Sequence, residues 1–340
     1  MQKVPIAWLI DDGIPLARGF SNAVFGKVCD VIERHGFRGK FSIIPNPGNR
    51  GEIARGMEGV PDEVRAEWLE MVKNRIAPGF SLCPEMITHA DAYDLSTGGC
   101  LPQREDIWSQ TQDRSALTPY VAKALSLLKE AGLAACGVTS PWDFGVEVEE
   151  EYVHAISEAV FEVFGRKNAW YFCRGLVDVP GARPWIALEE GDRCVVAIPN
   201  TTEEWFWESM KVEDASEEYV SGLADRFITA DGRGGDIPRT LDSGGIPILF
   251  THLQSLLSAG RFTGLRAMDL VGQRVAEHFS HRVQWMSCEE ILQYVVQRRE
   301  EFRIPEFLHR RGGVRADFFC GNSEKICKKG LHLSAKSTII

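Results

Sequence analysis

Eight short apolar runs alternate with helical patterns along this chain, and that alternation limits the folds open to it more than any other feature. The runs are Ile6–Ile10, Lys40–Ile44, Phe80–Ile87, Ala134–Val138, Ala169–Cys173, Cys194–Ile198, Ile246–Phe250 and Val283–Met286. Each is short enough for a strand buried on both faces. Between them the spacing predicts helices over Gly19–His35, Asp62–Arg75, Pro119–Glu130, Glu149–Phe164, Glu217–Phe227, Leu265–Phe279 and Glu289–Glu301. Apolar residues fall at three and four spacing, as in Val153, Ile156, Val160 and Phe164, and Gly36, Gly132 and Gly165 stand where left-handed C-caps would end helices. Strand and helix in strict alternation predict a parallel sheet with crossover helices, and seven or eight repeats fit an irregular (β/α) barrel. No linker divides the chain. The expected organisation is one barrel over residues 1–305 and a C-terminal appendix over 306–340, with Gly232–Gly245 as a surface loop over the barrel mouth.

Composition narrows the partners. With 340 residues, 44% hydrophobic and 25% charged, the chain has the usage of a globular protein. Its 38 basic against 48 acidic residues leave a net charge of −10, which disfavours nucleic acid and anionic membranes. A lysine cluster at Lys325, Lys328, Lys329 and Lys336 reads as a solvated terminus. Asp11 and Asp12 interrupt the first apolar run before an export signal or a membrane span could form. Nine scattered cysteines without a CxxC pair favour reduced thiols, so the expected location is cytoplasmic. Self-association is left open.

In a parallel barrel the chemistry sits at the C-terminal ends of the strands. The runs end there in Asp11 and Asp12, Asn46, His89, Ser140, Arg174, Asn200, and Thr251 with His252. Two carboxylates and two imidazoles can bind a metal and move protons. Each also has a plainer reading: Asp12-Gly13 as a turn, either aspartate as a helix cap, either histidine as a hydrogen-bonded core residue. Trp205-Phe206-Trp207 after the sixth run offers flat faces for a sugar ring or a core staple.

Asp11-Asp12-Gly13 after a strand, Glu85 four before His89, Ser140-Pro141-Trp142, and Phe250-Thr251-His252 resemble, in order, the motifs of polysaccharide deacetylases, carbohydrate esterase family 4. The resemblance spans about residues 6 to 300. It implies a deacetylase-type barrel that hydrolyses an acetyl group or related amide of a soluble small-molecule or oligosaccharide substrate, using a divalent metal ion, zinc first. By position, Asp11 looks like the catalytic base, Asp12 and His89 like metal ligands, His252 like the general acid, and Trp142 like a cleft residue. The second histidine of that pattern falls on Tyr93, so Asp94 or Asp91 is expected to supply an oxygen ligand instead. The arginine of the third motif falls on Thr139, which leaves Arg174 to restore a cation beside Asp11; Arg174 and Asn200 are expected to line the substrate site. The Tyr93 departure also keeps open a metal-free C–N hydrolase of the allantoinase type, and a non-catalytic carbohydrate-binding barrel remains a third reading.

Overall fold

The computed structural model describes residues 3–304. Its strands are β1 (Val4–Gly13), β2 (Gly39–Ile43), β3 (Phe80–Pro84), β4 (Asp91–Tyr93), β5 (Cys100–Arg104), β6 (Gly137–Thr139), β7 (Asn168–Phe172), β8 (Trp185–Glu190), β9 (Arg193–Ala197), β10 (Ile248–His252) and β11 (Val283–Trp285). The helices are α1 (Asn22–His35), α2 (Asp62–Met71), α3 (Glu105–Ser109), α4 (Arg114–Glu130), α5 (Glu149–Phe164), α6 (Glu217–Phe227), α7 (Asp236–Asp242), α8 (Leu253–Leu257), α9 (Thr263–Phe279) and α10 (Cys288–Val296). Each of the eight apolar runs overlaps a strand. The appendix expected from 306, with its lysines, lies outside the described residues.

One sheet runs β10-β1-β2-β3, all parallel, and β11 pairs with the beginning of β1 where β10 has not yet started. This explains the apolar character of β1: from Pro5 to Gly13 every residue is buried, flanked by strands on both edges. Trp8 stacks on Phe206 at 5.9 Å and tilts against Phe227 at 5.3 Å to form the centre of the core. β2 can approach only because residue 39 is glycine, since a β-carbon there would lie 1.7 Å from the Trp8 carbonyl oxygen.

A second sheet runs β6-β7-β9-β8, with β8 antiparallel to β9. The two sheets meet at two seams. At one, a lone parallel bridge joins Glu85 to Thr139. At the other, Thr201 donates its N–H to the Ile248 carbonyl at 2.9 Å and accepts the Ile248 N–H on its hydroxyl at 2.9 Å. Ladder pairing between the two sheets is thus interrupted at both seams, and the single closed ring that the alternation predicts is not shown. The reason is local: Pro84 ends β3 without an N–H to donate, and β6 is three residues long before Ser140-Pro141.

Two further expectations are corrected. Gly232–Gly245 is not only loop, because it contains α7, whose Asp236 carboxylate accepts the Trp205 indole N–H at 2.8 Å. α4 begins at Arg114, five residues before Pro119, where the Asp113 side chain accepts the Ala116 N–H. Pro119 lies beyond the first turn, so the helix gives up one i→i−4 hydrogen bond there, that to the Ser115 carbonyl. The described cysteines are free thiols, and no described helix is long and apolar enough to cross a membrane.

Candidate active site

The loops after β1, β2, β3 and β6 and the start of α8 surround a cleft of about 530 Å³, with Asp12 and His89 inside it and Trp142, Trp207 and Gln254 on its walls. Backbone strain is concentrated here: Asp12 (φ 65°), Met86 (φ 45°), His89 (φ 49°) and Trp142 (φ 46°) are all non-glycine residues in the left-handed region. Such conformations persist where the surroundings overdetermine them, and they cluster at functional sites.

Three ligand-type atoms converge at the cleft floor. His89 Nε2 stands 3.3 Å from Glu85 Oε1 and 3.5 Å from Asp12 Oδ1. The remaining oxygen of each carboxylate is tied back. Glu85 Oε2 accepts the Ser42 hydroxyl at 2.7 Å and the Asp12 N–H at 3.0 Å, while Asp12 Oδ2 accepts the Gln254 amide. Each carboxylate thus keeps one oxygen fixed and aims the other at a shared centre, which is how outer partners orient metal ligands. Tetrahedral zinc with bonds of about 2.1 Å places its ligand atoms about 3.4 Å apart, so the two His89 distances and the donor types fit a divalent cation, and all three atoms lie within 4.8 Å of one another. Without one, the Glu85 and Asp12 carboxylates outweigh the effect of burial and raise the His89 imidazole to about 10.

His89 is placed by a residue that sequence reasoning missed. Glu105, buried at the start of α3, accepts N–H bonds from Ile87 (2.8 Å), Thr88 (3.2 Å) and His89 (2.9 Å) and the Tyr120 hydroxyl (2.7 Å). Its carboxylate shapes the turn that turns His89 inward. Burial still pushes the Glu105 carboxyl up to about 7 against these donors.

Asp11 is buried, and its Oδ1 accepts the Lys40 ammonium and shares the single Ser42 hydroxyl proton with Glu85 Oε2. Lys40 is fully buried on β2, where it also donates to Thr139 Oγ1 at 2.7 Å and sits 4.4 Å over the Phe172 ring. The cation beside Asp11 is therefore Lys40, not Arg174. Burial raises the Asp11 carboxyl to about 6 although Lys40 opposes it. The neighbouring Cys83 thiol is pushed up to about 12 by burial, which leaves no thiolate nucleophile at neutral pH.

His252 pairs in register with Asp11 across β10 and β1. Its Nδ1 faces Glu204 Oε1 at 4.0 Å, an ion-pair distance too long for a hydrogen bond, and its ring edges against Trp207 and Phe250 at 4.9 Å. Burial favours the neutral ring, but Glu204 and the two aspartates outweigh it and raise His252 to about 9. Glu204 is itself fixed by the hydroxyls of Thr251 (2.9 Å) and Ser255 (2.6 Å).

Trp142 is exposed at the rim, its ring 4.2 Å from that of His89. Three other expected site residues are not brought to this floor. Asp94 lies in the β4–β5 hairpin, where its carboxylate accepts from Ser96 and Thr97 and is held down to about 2 by them; Asp94-Leu95-Ser96-Thr97-Gly98-Gly99 makes a turn. Arg174 is paired with Glu149 at the N-terminus of α5 and lines a separate cleft with Tyr171 and Trp185. Asn200 is buried, and its amide donates to the Thr202 carbonyl at 2.7 Å, shaping the turn after β9. Glu85 stood in the motif beside His89, and its i, i+4 spacing was the signal for its role in the cluster.

No family model matches the chain, and no curated protein matches it. Among solved structures it is similar to a 4-alpha-glucanotransferase from Thermococcus litoralis (12% identity, TM-score 0.45, covering 86% of this chain and 40% of that one). It is also similar to a mutant of a CE4 family pseudoenzyme (8% identity, TM-score 0.40, covering 85% of this chain and 67% of that one). A third likeness is to a lactam utilization protein from Thermus thermophilus (14% identity, TM-score 0.34, covering 82% of this chain and 97% of that one). These likenesses are too distant to assign a function.

Proposed function

We propose that the chain is a metal-dependent hydrolase of the polysaccharide-deacetylase type, removing an N- or O-acetyl group, or cleaving a related amide, from a soluble carbohydrate-like substrate. The observation that carries this reading is the convergence of Asp12 Oδ1, Glu85 Oε1 and His89 Nε2, each carboxylate having its other oxygen tied back. Asp12, Glu85 and His89 would hold the cation, which supplies Lewis-acid polarisation of water and of the scissile carbonyl.

The rest of the chemistry falls to the chain's own side chains. Asp11 takes the proton from the attacking water on the oxygen that Lys40 and Ser42 leave free. A carboxyl raised to about 6 is ionised at neutral pH and basic enough to hold that proton. His252 gives a proton to the departing amine or alcohol, and Glu204 keeps it charged until then. Trp142 and Trp207 wall the cleft with apolar faces suited to a sugar ring.

The test is acetate release from N- and O-acetylated mono- and oligosaccharides, measured before chelation, after chelation, and after zinc is restored. The reading expects activity that chelation removes and zinc returns. Activity indifferent to chelation would favour the metal-free C–N hydrolase instead.

A further inference from the structure

Arginine side chains in this protein are almost all engaged. Among the described residues, every arginine but Arg18, Arg50 and Arg233 has an ion pair, a hydrogen bond or an aromatic face as partner. Two of those three, Arg18 and Arg50, line the same cleft, the one that holds Asp12 and His89. They come from the loops after β1 and β2, which are adjacent strands. Both are exposed.

The backbone sets the loop positions from which they project. Arg18 is in the left-handed region at φ 53°, two residues after Leu16 at φ 56°, so this short turn is held against its steric preference. The Arg50 N–H donates to the Pro47 carbonyl at 3.1 Å, and its own carbonyl accepts from Glu58 at 2.7 Å. A third rim arginine, Arg104, is already neutralised: Asp106 holds it through two hydrogen bonds (2.9 and 2.8 Å), and its guanidinium lies 4.1 Å over Trp142. It extends the flat wall. Asp91 is the acidic residue on the same rim, and it does not pair with Arg18 or Arg50.

A protein of net charge −10 repels anions at long range, and the carboxylates on the cleft floor add to that. Two unpartnered guanidinium groups above such a floor oppose that field locally, and their planar forks match a carboxylate or phosphate in two-point contact. We infer that the cleft takes a substrate bearing an oxyanion group, a carboxylate or a phosphate, which Arg18 and Arg50 hold at the rim while the bond to be cleaved lies over Asp12, Glu85 and His89. The substrate class rests on the hydrolase reading of the floor; the anion site itself does not.

The probes are glucose 6-phosphate, glucuronate and glucose, titrated calorimetrically into the protein with zinc present and after chelation. One anionic sugar is expected to bind about 10-fold tighter than glucose, and Arg18→Gln and Arg50→Gln each to weaken it by about 10-fold, the scale of a charge-assisted hydrogen bond, while glucose is unaffected. Preference for glucose 6-phosphate assigns phosphate, and preference for glucuronate assigns carboxylate. Equal binding of all three, unchanged affinity in both variants, or anion binding that vanishes on chelation alone overturns the inference. Metal content measured on the same samples separates the two readings. Arginine-dependent anion binding by a protein unable to hold metal would keep the rim site and discard the hydrolase, whereas bound metal without anion preference would do the reverse.

Discussion

Lys40 Nζ and Asp11 Oδ1 form a buried ion pair, with Lys40 fully buried and the Asp11 side chain 3% exposed. Removing one partner of such a pair leaves an uncompensated buried charge at a cost of about 3–5 kcal/mol, while removing both costs much less. Lys40→Met and Asp11→Asn should each destabilise the fold by about that amount, and the double variant by clearly less than their sum. Denaturant unfolding of the four proteins measures the coupling. Simple additivity would show that the pair is not acting as one unit.

His252 titrates high because Glu204, Asp12 and Asp11 favour its charged form more than burial opposes it. Proton NMR should place its midpoint near 9. Glu204→Gln should bring that midpoint down. A histidine whose folded pKa is raised stabilises the fold fully below its unfolded pKa of about 6.5, and the contribution fades as pH climbs through the folded value. Stability should therefore decline between about 6.5 and 9 in the wild type and decline less in Glu204→Gln, where Asp12 and Asp11 still favour the charged ring. His252→Ala should lower turnover by about 10²- to 10⁴-fold with the fold retained.

Glu105 sets the turn that carries His89 through N–H bonds from three consecutive residues. Glu105→Ala orphans those donors and frees the turn. Zinc affinity should fall by about 10- to 100-fold, the usual cost of losing an outer partner of a metal ligand. A variant that folds and binds zinc as tightly as the wild type would remove Glu105 from the site.

Tyr93 stands where the deacetylase pattern has a second histidine, yet its ring lies beneath Lys123 Nζ at 5.8 Å, in the β4–β5 hairpin. Tyr93→His should leave zinc affinity unchanged. Tightening in calorimetry would mean that the side chain reaches the floor.

The sequence made the sheet-forming elements legible because strands buried on both edges, such as β1, must be continuous apolar runs. β4, β5 and β8 were not legible. β5 reads Cys-Leu-Pro-Gln-Arg and is mostly exposed, and β8 is an antiparallel edge strand whose far end is polar. In the site, Asp12, His89 and Trp142 share one cleft because each lies at or just after a strand end on the same rim. Lys40 opens the second apolar run, where a lysine reads as a boundary and not as a buried counter-ion. Asp94 and Arg174 show the converse: a sequence neighbour of Tyr93 and a strand-end cation both found nearer partners, Ser96 and Thr97 for one and Glu149 for the other.

The proposed cation site is formed by Asp12, Glu85 and His89. Zinc titration of metal-free protein, with elemental analysis of the loaded sample, examines it without any substrate. One saturable zinc per chain is expected, and in Glu85→Gln or His89→Ala binding weaker by at least about 10-fold while the fold is retained, because each alters one of three converging donors. Absence of saturable zinc binding in the wild type, or equal affinity in both variants, would contradict it.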